Sequence, residues 1–121
     1  MNKILVVDDD PDILSLVETI LTMHNFSVQA ILKWECIDDS INNFKPDLIL
    51  LDISLSGADG RDICKKIKQS KETQHLPVIL FSANTRMEND IENCHAQHFI
   101  AKPFELSYLI QTIKFHLGRQ I

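Results

Sequence analysis

The 121-residue chain is poor in the residues that punctuate a backbone, with three Gly and four Pro, which excludes collagen-like, low-complexity and linker-rich organisations. Cysteine is scarce as well. Cys36, Cys64 and Cys94 form an odd set, 28 and 30 residues apart, with no C-x-x-C pair, so neither a disulfide framework nor a thiolate zinc site is indicated. Free thiols in the reducing cytoplasm suit that usage. Basic residues are outnumbered, 12 against 17 acidic, for a net charge of -5, and this opposes a nucleic-acid backbone or an anionic membrane surface as a direct partner. Long hydrophobic runs are missing too. Met1-Asn2-Lys3 leads into four apolar residues and then three aspartates, too short and too soon acidic for a signal peptide or a membrane span. What remains is 45% apolar and 24% charged, the balance of a soluble globular core. The length suits one domain over residues 1–121, with no linker, repeat or second module.

Four apolar runs, at 4–7, 48–51, 78–81 and 99–101, are too short for helices and rich in aliphatic or β-branched residues, as strands buried on both faces are. A fifth, more polar run at 27–32 suits an edge strand. Between them lie segments of helical period. The first carries Ile13, Leu16, Val17, Ile20 and Leu21 on one stripe, with Asp10 as cap and Pro11 in the first turn. The last carries Leu106, Leu109, Ile110, Ile113 and Leu117, with Tyr108 and Phe115 near the opposite side. Trp34, Ile37, Ile41 and Phe44 mark a helix before the third strand, and Ile63 with Ile67 another after Gly60. From Arg86 to His95 only Met87, Ile91 and Cys94 are apolar, so that helix should pack lightly. Strands alternating with helices imply right-handed crossovers and an open sheet covered on both faces, which binds ligands at the carboxyl ends of its strands.

Those ends carry a particular set: Asp8 and Asp9 after the first strand, Asp52 after the third, Ser82 after the fourth and Lys102 after the fifth. Three carboxylates in one cleft repel one another unless a cation sits among them, and hard oxygen ligands select Mg²⁺. Lys102 offers a point charge and Ser82 a small hydroxyl, which together would surround an added phosphoryl group. The chemistry this assembles is phosphoryl transfer to a carboxylate, with Asp52, alone at the end of a central strand, as nucleophile. Asp10, Asp12 and Asp59 read instead as residues that cap helices or end strands.

At this point the chain resembles the receiver domain of two-component response regulators. The likeness runs from Lys3 to about Leu117 and rests on I-L-V-V-D-D-D-P at 4–11, L-I-L-L-D-I-S-L at 48–55, D-G at 59–60, P-V-I-L-F-S-A at 77–83 and A-K-P-F at 101–104. It implies a flavodoxin-like, doubly wound α/β fold: a five-stranded parallel sheet in the order 2-1-3-4-5 with five helices, two on one face and three on the other. It implies further that Asp52 accepts a phosphoryl group from a histidine kinase or phosphotransfer protein, that Asp8, Asp9, Asp52 and the backbone carbonyl of Ser54 hold Mg²⁺, and that Ser82 and Lys102 contact the phosphoryl group. Ser54 and Asn84 fall where the family tunes removal of that group by water. Phe99 falls at the family's switch aromatic, where many members have Tyr; Phe99 has no hydroxyl, so its switching rests on packing. A cis peptide is expected at Lys102-Pro103. Two departures stand out. Ser56 replaces a usual Pro, which should loosen the turn before Gly57, and His95 replaces a usual Gly, which predicts a different or slightly costly turn.

Tyr108 and Phe115 are read as a partner or dimer surface, in keeping with the family's use of the fourth helix, fifth strand and fifth helix for homodimers and downstream protein targets. Cys94, His95 and His98 are declined as a metal site, and His24, His75 and His116 are placed at the surface or helix ends. The resulting expectation is a cytoplasmic, single-domain phosphoacceptor whose output is a protein contact, with intrinsic self-phosphorylation and autodephosphorylation but no classical enzyme activity. Its rivals are a receiver cut from a larger regulator, a receiver-like module that works without phosphorylation, and a small Mg²⁺-dependent aspartyl phosphatase of haloacid-dehalogenase type. That last uses Asp8 as nucleophile and Asp10 as acid-base, and Asp10 capping a helix would end it.

Overall fold

The computed structural model describes residues 2–83 and 91–118. Uninterrupted aliphatic runs form strands where both faces are covered: β1 (Lys3–Val7), β3 (Leu48–Asp52) and β4 (Val78–Ser82), the last two with every residue buried. With β2 (Ser27–Ile31) and β5 (His98–Ala101) they make a five-stranded parallel sheet in the order β2-β1-β3-β4-β5. The polar β2 is half-buried along its length and lies at one edge. Helices α1 (Pro11–Met23), α2 (Ile37–Phe44, entered through a 3-10 turn at Trp34–Cys36), α3 (Gly60–Gln69), α4 (Ile91–Cys94) and α5 (Leu106–Gly118) cover the sheet. The expected flavodoxin-like order is the one observed. Asn84 and the first part of the expected fourth helix, 86–90, lie outside the described residues.

The two-residue period of a strand sorts its side chains between two cores. Ile4 and Val6 of β1, Leu48 and Leu50 of β3, and Ile79 and Phe81 of β4 pack with α1 and α5. Leu5, Val7, Ile49, Leu51, Val78 and Leu80 pack on the other face with Ile37 of α2, Cys64 and Ile67 of α3 and Cys94 of α4. Among the described residues two helices thus lie on one face and three on the other. A one-residue slip would exchange the faces and set core aliphatics against the wrong helices, so both cores enforce the same register.

Asp10 caps α1 through its side chain, which accepts from the amides of Asp12 and Ile13, and Pro11 occupies the first turn. The buried stripe of α1 is Leu14, Val17, Ile20 and Leu21, whereas Leu16 is 53% exposed. This corrects the stripe read from the sequence: six apolar residues, Ile13, Leu14, Leu16, Val17, Ile20 and Leu21, crowd two adjacent faces, and packing buries Leu14 in place of Leu16. In α5 Leu109, Ile110 and Ile113 are buried as expected, but Leu106 is exposed and Thr112 and His116 are buried in its place. His116, expected at the surface or a helix end, lies in the last turn of α5 but is also a core residue, 4% exposed.

Both sequence departures are accommodated locally. His95 follows α4 in a left-handed conformation at φ 64°, the costly turn expected, at about 1–2 kcal/mol for a residue with a Cβ. Ser56 sits in a short antiparallel hairpin that pairs Ser54 with Asp59 and Leu55 with Ala58. Gly57 takes the positive φ of that turn, 83°, and the Trp34 indole donates to the Ser56 carbonyl at 2.9 Å. The hairpin and the indole both hold this turn. Among the described residues no helix is long and apolar enough to cross a membrane.

Candidate functional site

Strand register builds the site as a staircase. Val7 of β1 pairs with Leu51 of β3, so the next residues, Asp8 and Asp52, emerge side by side. Asp52 in turn pairs with Phe81 of β4, which puts Ser82 one step further, and Ser82 pairs with Ala101 of β5, which puts Lys102 one step beyond that. Each polar side chain thus leaves the sheet where aliphatic cover ends. The carboxylate oxygens of Asp8, Asp9 and Asp52 converge within 4.8 Å of one another. Lys102 reaches back across them, its Nζ 2.9 Å from Asp8 Oδ2 and 3.5 Å from Asp52 Oδ1.

The electrostatics are unbalanced. Asp8 and Ser82 are fully buried or nearly so, Asp52 is 4% exposed, and Asp9 is the exposed member of the acidic trio. Among the described residues one ammonium stands against three carboxylates. Burial and then the neighbouring charge of Asp8 push the Asp52 carboxyl up to about 7, against the opposing pull of Lys102 and the Ser54 amide. A cluster of hard oxygen donors with a surplus of negative charge and one face open to solvent fits a small divalent cation retaining some of its water. The exposed Asp9 supplies that open side.

The other site residues expected from the sequence fall as follows. Ser54 leads the hairpin beyond β3, with its amide turned to Asp52. Phe99 is buried on the face covered by α2, α3 and α4, beside Cys94. Lys102-Pro103 is a cis peptide. Tyr108 and Phe115 are exposed, by 45% and 61%, on α5. Cys94 is buried in the core while His95 is exposed, so the declined metal trio does not converge. Asp10 is occupied as the α1 cap, and its own amide donates to Asp8 Oδ1 at 2.9 Å. That geometry removes the acid-base required by the phosphatase reading. Asp59 caps α3 and is held by a bidentate pair with Arg61, which keeps its carboxyl below the usual range.

Two contributors escaped the sequence reading. The Lys102 ammonium lies 4.5 Å above the Phe81 ring, a cation–π contact that holds it over the pocket, and Phe104 meets the same ring edge-on. Gly60 is packed so tightly on β3 that a Cβ would stand 2.2 Å from the Asp52 carbonyl oxygen and 2.9 Å from Ile53 Cα. Its amide donates to the Ile53 carbonyl at 2.8 Å. The D-G pair at 59–60 was the signal; its reason, contact with the backbone that carries Asp52, needed the fold.

A doubly wound parallel sheet with an acid-rich pocket and one lysine at its carboxyl edge defines a flavodoxin-like α/β protein with its site at the topological switch point. The family model described as the response regulator receiver domain matches residues 4–114. The chain belongs to that family. It is 37% identical over 121 residues to the nisin biosynthesis regulatory protein NisR of Lactococcus lactis subsp. lactis, covering 98% of this chain and 51% of NisR. It is 31% identical to the response regulator ArlR of Staphylococcus haemolyticus, covering 99% of this chain and 54% of ArlR. The chain thus spans about half the length of these relatives. Among solved structures, a CheY-like receiver domain protein from Methanospirillum hungatei superimposes with a TM-score of 0.90 at 28% identity, over 99% of this chain and 96% of that one. TrrA of Thermotoga maritima, solved in complex with Mg²⁺-BeF, does so at 0.87 and 26%, over 96% and 99%.

Proposed function

We propose that residues 1–121 act as the phosphoacceptor receiver of a two-component phosphorelay, with Asp52 taking a phosphoryl group from the phosphohistidine of a kinase or phosphotransfer protein. The observation that carries this reading is the convergence of Asp52, Asp8, Asp9 and Lys102 at one sheet edge. An Asp52 oxygen forms the new bond to phosphorus as the phosphorus–nitrogen bond breaks, and imidazole leaves. Lys102 is within reach of both carboxylates and neutralises charge on the transferred oxygens. Ser82, at the end of β4, supplies a hydroxyl to the same group. Asp8, Asp9, Asp52 and the Ser54 carbonyl would hold Mg²⁺, which supplies positive charge to the phosphoryl oxygens when bound.

The added group would rearrange the ion pairs of Lys102, and β5 carries that change to Phe99 and to the face bearing Tyr108 and Phe115. A change in affinity for a protein target, or for a second copy across α4, β5 and α5, is the output. A near-complete swing of such an equilibrium takes about 5.5 kcal/mol of differential contact. The chain is a signalling phosphoacceptor of the cytoplasm, with self-phosphorylation and autodephosphorylation as its only chemistry. It meets neither nucleic acid nor membrane directly. The presence of every acid and of Lys102 speaks against a module that works without phosphorylation.

Intact-mass spectrometry after incubation with acetyl phosphate and Mg²⁺ tests the reading. A single phosphate adduct is expected in the wild type, absent in Asp52→Asn and after chelation. Because a short-lived adduct escapes detection, beryllofluoride binding is followed in parallel; absence of both adduct and beryllofluoride binding refutes the proposal.

A further inference from the structure

We propose that His98 and His116 form a second metal site, separate from the carboxylate pocket and selective for an imidazole-preferring divalent cation such as Zn²⁺. His98 opens β5 and His116 lies in the last turn of α5. The packing of α5 on the sheet brings His98 Nδ1 to 3.4 Å from His116 Nε2, with the ring planes at 57°. That separation is at the outer limit of a hydrogen bond. It is the spacing of two ligands: imidazole nitrogens bound to one tetrahedral zinc ion at about 2.05 Å each stand about 3.3–3.4 Å apart. The pair therefore needs no backbone movement to share an ion.

The surroundings are those of a ligating pair. The hydroxyl of Tyr108 lies 2.7 Å from His98 Nε2. An oxygen on the far nitrogen fixes a ligating imidazole's orientation, and with the Nε2 proton given to Tyr108 the lone pair of Nδ1 faces His116. His116 is 4% exposed, so its ring is held by the core around it. A cleft of about 440 Å³ opens beside both rings and is bordered by Gln97, Gln111 and Tyr108, which leaves room for waters to complete four-coordination. Donor chemistry separates the two sites. Oxygen donors at Asp8, Asp9 and Asp52 suit Mg²⁺, whereas imidazole nitrogens suit zinc and its neighbours in the transition series. An ion held here ties β5, with Phe99 next to His98, to the helix that presents Tyr108 and Phe115.

The test is a Zn²⁺ titration of the whole chain in excess Mg²⁺, followed by imidazole nitrogen NMR and by thermal unfolding. The expected result is one equivalent bound, with the His98 and His116 ring signals shifted, those of His24, His75 and His95 unmoved, and a raised Tm. His98→Gln, at a half-buried position, should weaken binding by tenfold or more and abolish the rise in Tm. Tyr108→Phe should retain the fold and weaken binding about tenfold by releasing His98. Asp52→Asn should bind Zn²⁺ as the wild type does. The proposal is overturned if the His98 and His116 signals stay in place, if His98→Gln binds with unchanged affinity, or if Asp52→Asn abolishes binding.

Discussion

Replacing Asp52 by Asn should stabilise the protein when divalent cations are removed. Asp52 is buried beside Asp8, and its carboxyl is raised from 3.8 to about 7. In the unfolded chain the group ionises near 3.8, whereas in the folded chain it keeps its proton to about 7. Its favourable contribution to folding is therefore fully present below the lower value and is lost as pH rises through the higher one. At about 1.4 kcal/mol per unit, the loss reaches a ceiling of about 4 kcal/mol at pH 8. An amide stays neutral throughout, so the gap between Asp52→Asn and wild type opens over the same window. That ceiling is already net of the attraction of Lys102 and of the bond from the Ser54 amide, and solvent screening at the open side of the pocket brings the expected gain to about 2–3 kcal/mol. With a urea dependence of about 1.5 kcal/mol per molar, the unfolding midpoint should rise by about 1–2 M at pH 8 in the presence of chelator. The gap should narrow as pH falls toward 4. Saturating Mg²⁺ should close it from the other side by stabilising the wild type, by about 2.7 kcal/mol at a hundredfold excess over Kd. A midpoint for Asp52→Asn below that of the wild type at pH 8 with chelator, or a gap indifferent to pH, refutes this account of the pocket as a cluster of frustrated charge.

Gly60→Ala forces a methyl group against the Asp52 carbonyl and Ile53 Cα; an overpacking cost of about 2–3 kcal/mol corresponds to a fall in Tm of about 8–12 °C at this chain length. Calorimetry showing a Tm unchanged within a degree would mean that the contact relaxes freely. Lys102→Met leaves Asp8, which is 0% exposed, without its ammonium at 2.9 Å, and urea unfolding at pH 8 should show a loss of about 3 kcal/mol together with loss of phosphate uptake by mass. Asp10→Ala removes two cap bonds of α1 at about 1 kcal/mol but should leave Asp52 phosphorylation by acetyl phosphate intact; abolished uptake would restore Asp10 to the chemistry.

The sheet was legible in the sequence because aliphatic runs of four or five residues have few other uses, and the site was legible because register turns strand ends into neighbours. Asp8, Asp52, Ser82 and Lys102 need only parallel pairing to converge, and parallel pairing follows from the strand-helix alternation. The raised pKa of Asp52 was not legible. It depends on Asp8 being wholly buried beside it, and the sequence gives no measure of that. The same holds for the close approach of Gly60 and for the tie from Trp34 to Ser56, which join segments 22 residues apart.

The helices mark where pattern reading loses force, and they lose it in a particular way. In α1 and α5 apolar residues outnumber the places on the buried stripe, so Leu16 and Leu106 are left at the surface while Leu14 and Ile110 are covered. Hydrophobicity alone cannot rank residues that are equally apolar and separated by a small rotation about the helix axis; only the shape of the opposing sheet does so. In α5 the sheet admits two polar residues instead. Thr112 enters because its hydroxyl donates to the Tyr108 carbonyl one turn back, at 2.7 Å, so it carries its own partner within the helix. His116 is partnered across elements. It meets His98, 18 residues earlier on β5, and His98 is in turn held by Tyr108 from α5 itself. Burial of an imidazole is costly unless it is partnered, and here the partner comes from another element. Polarity could therefore place His116 at the surface or a helix end but not in the core, and the pairing that permits its burial also sets two imidazole nitrogens at the spacing of metal ligands.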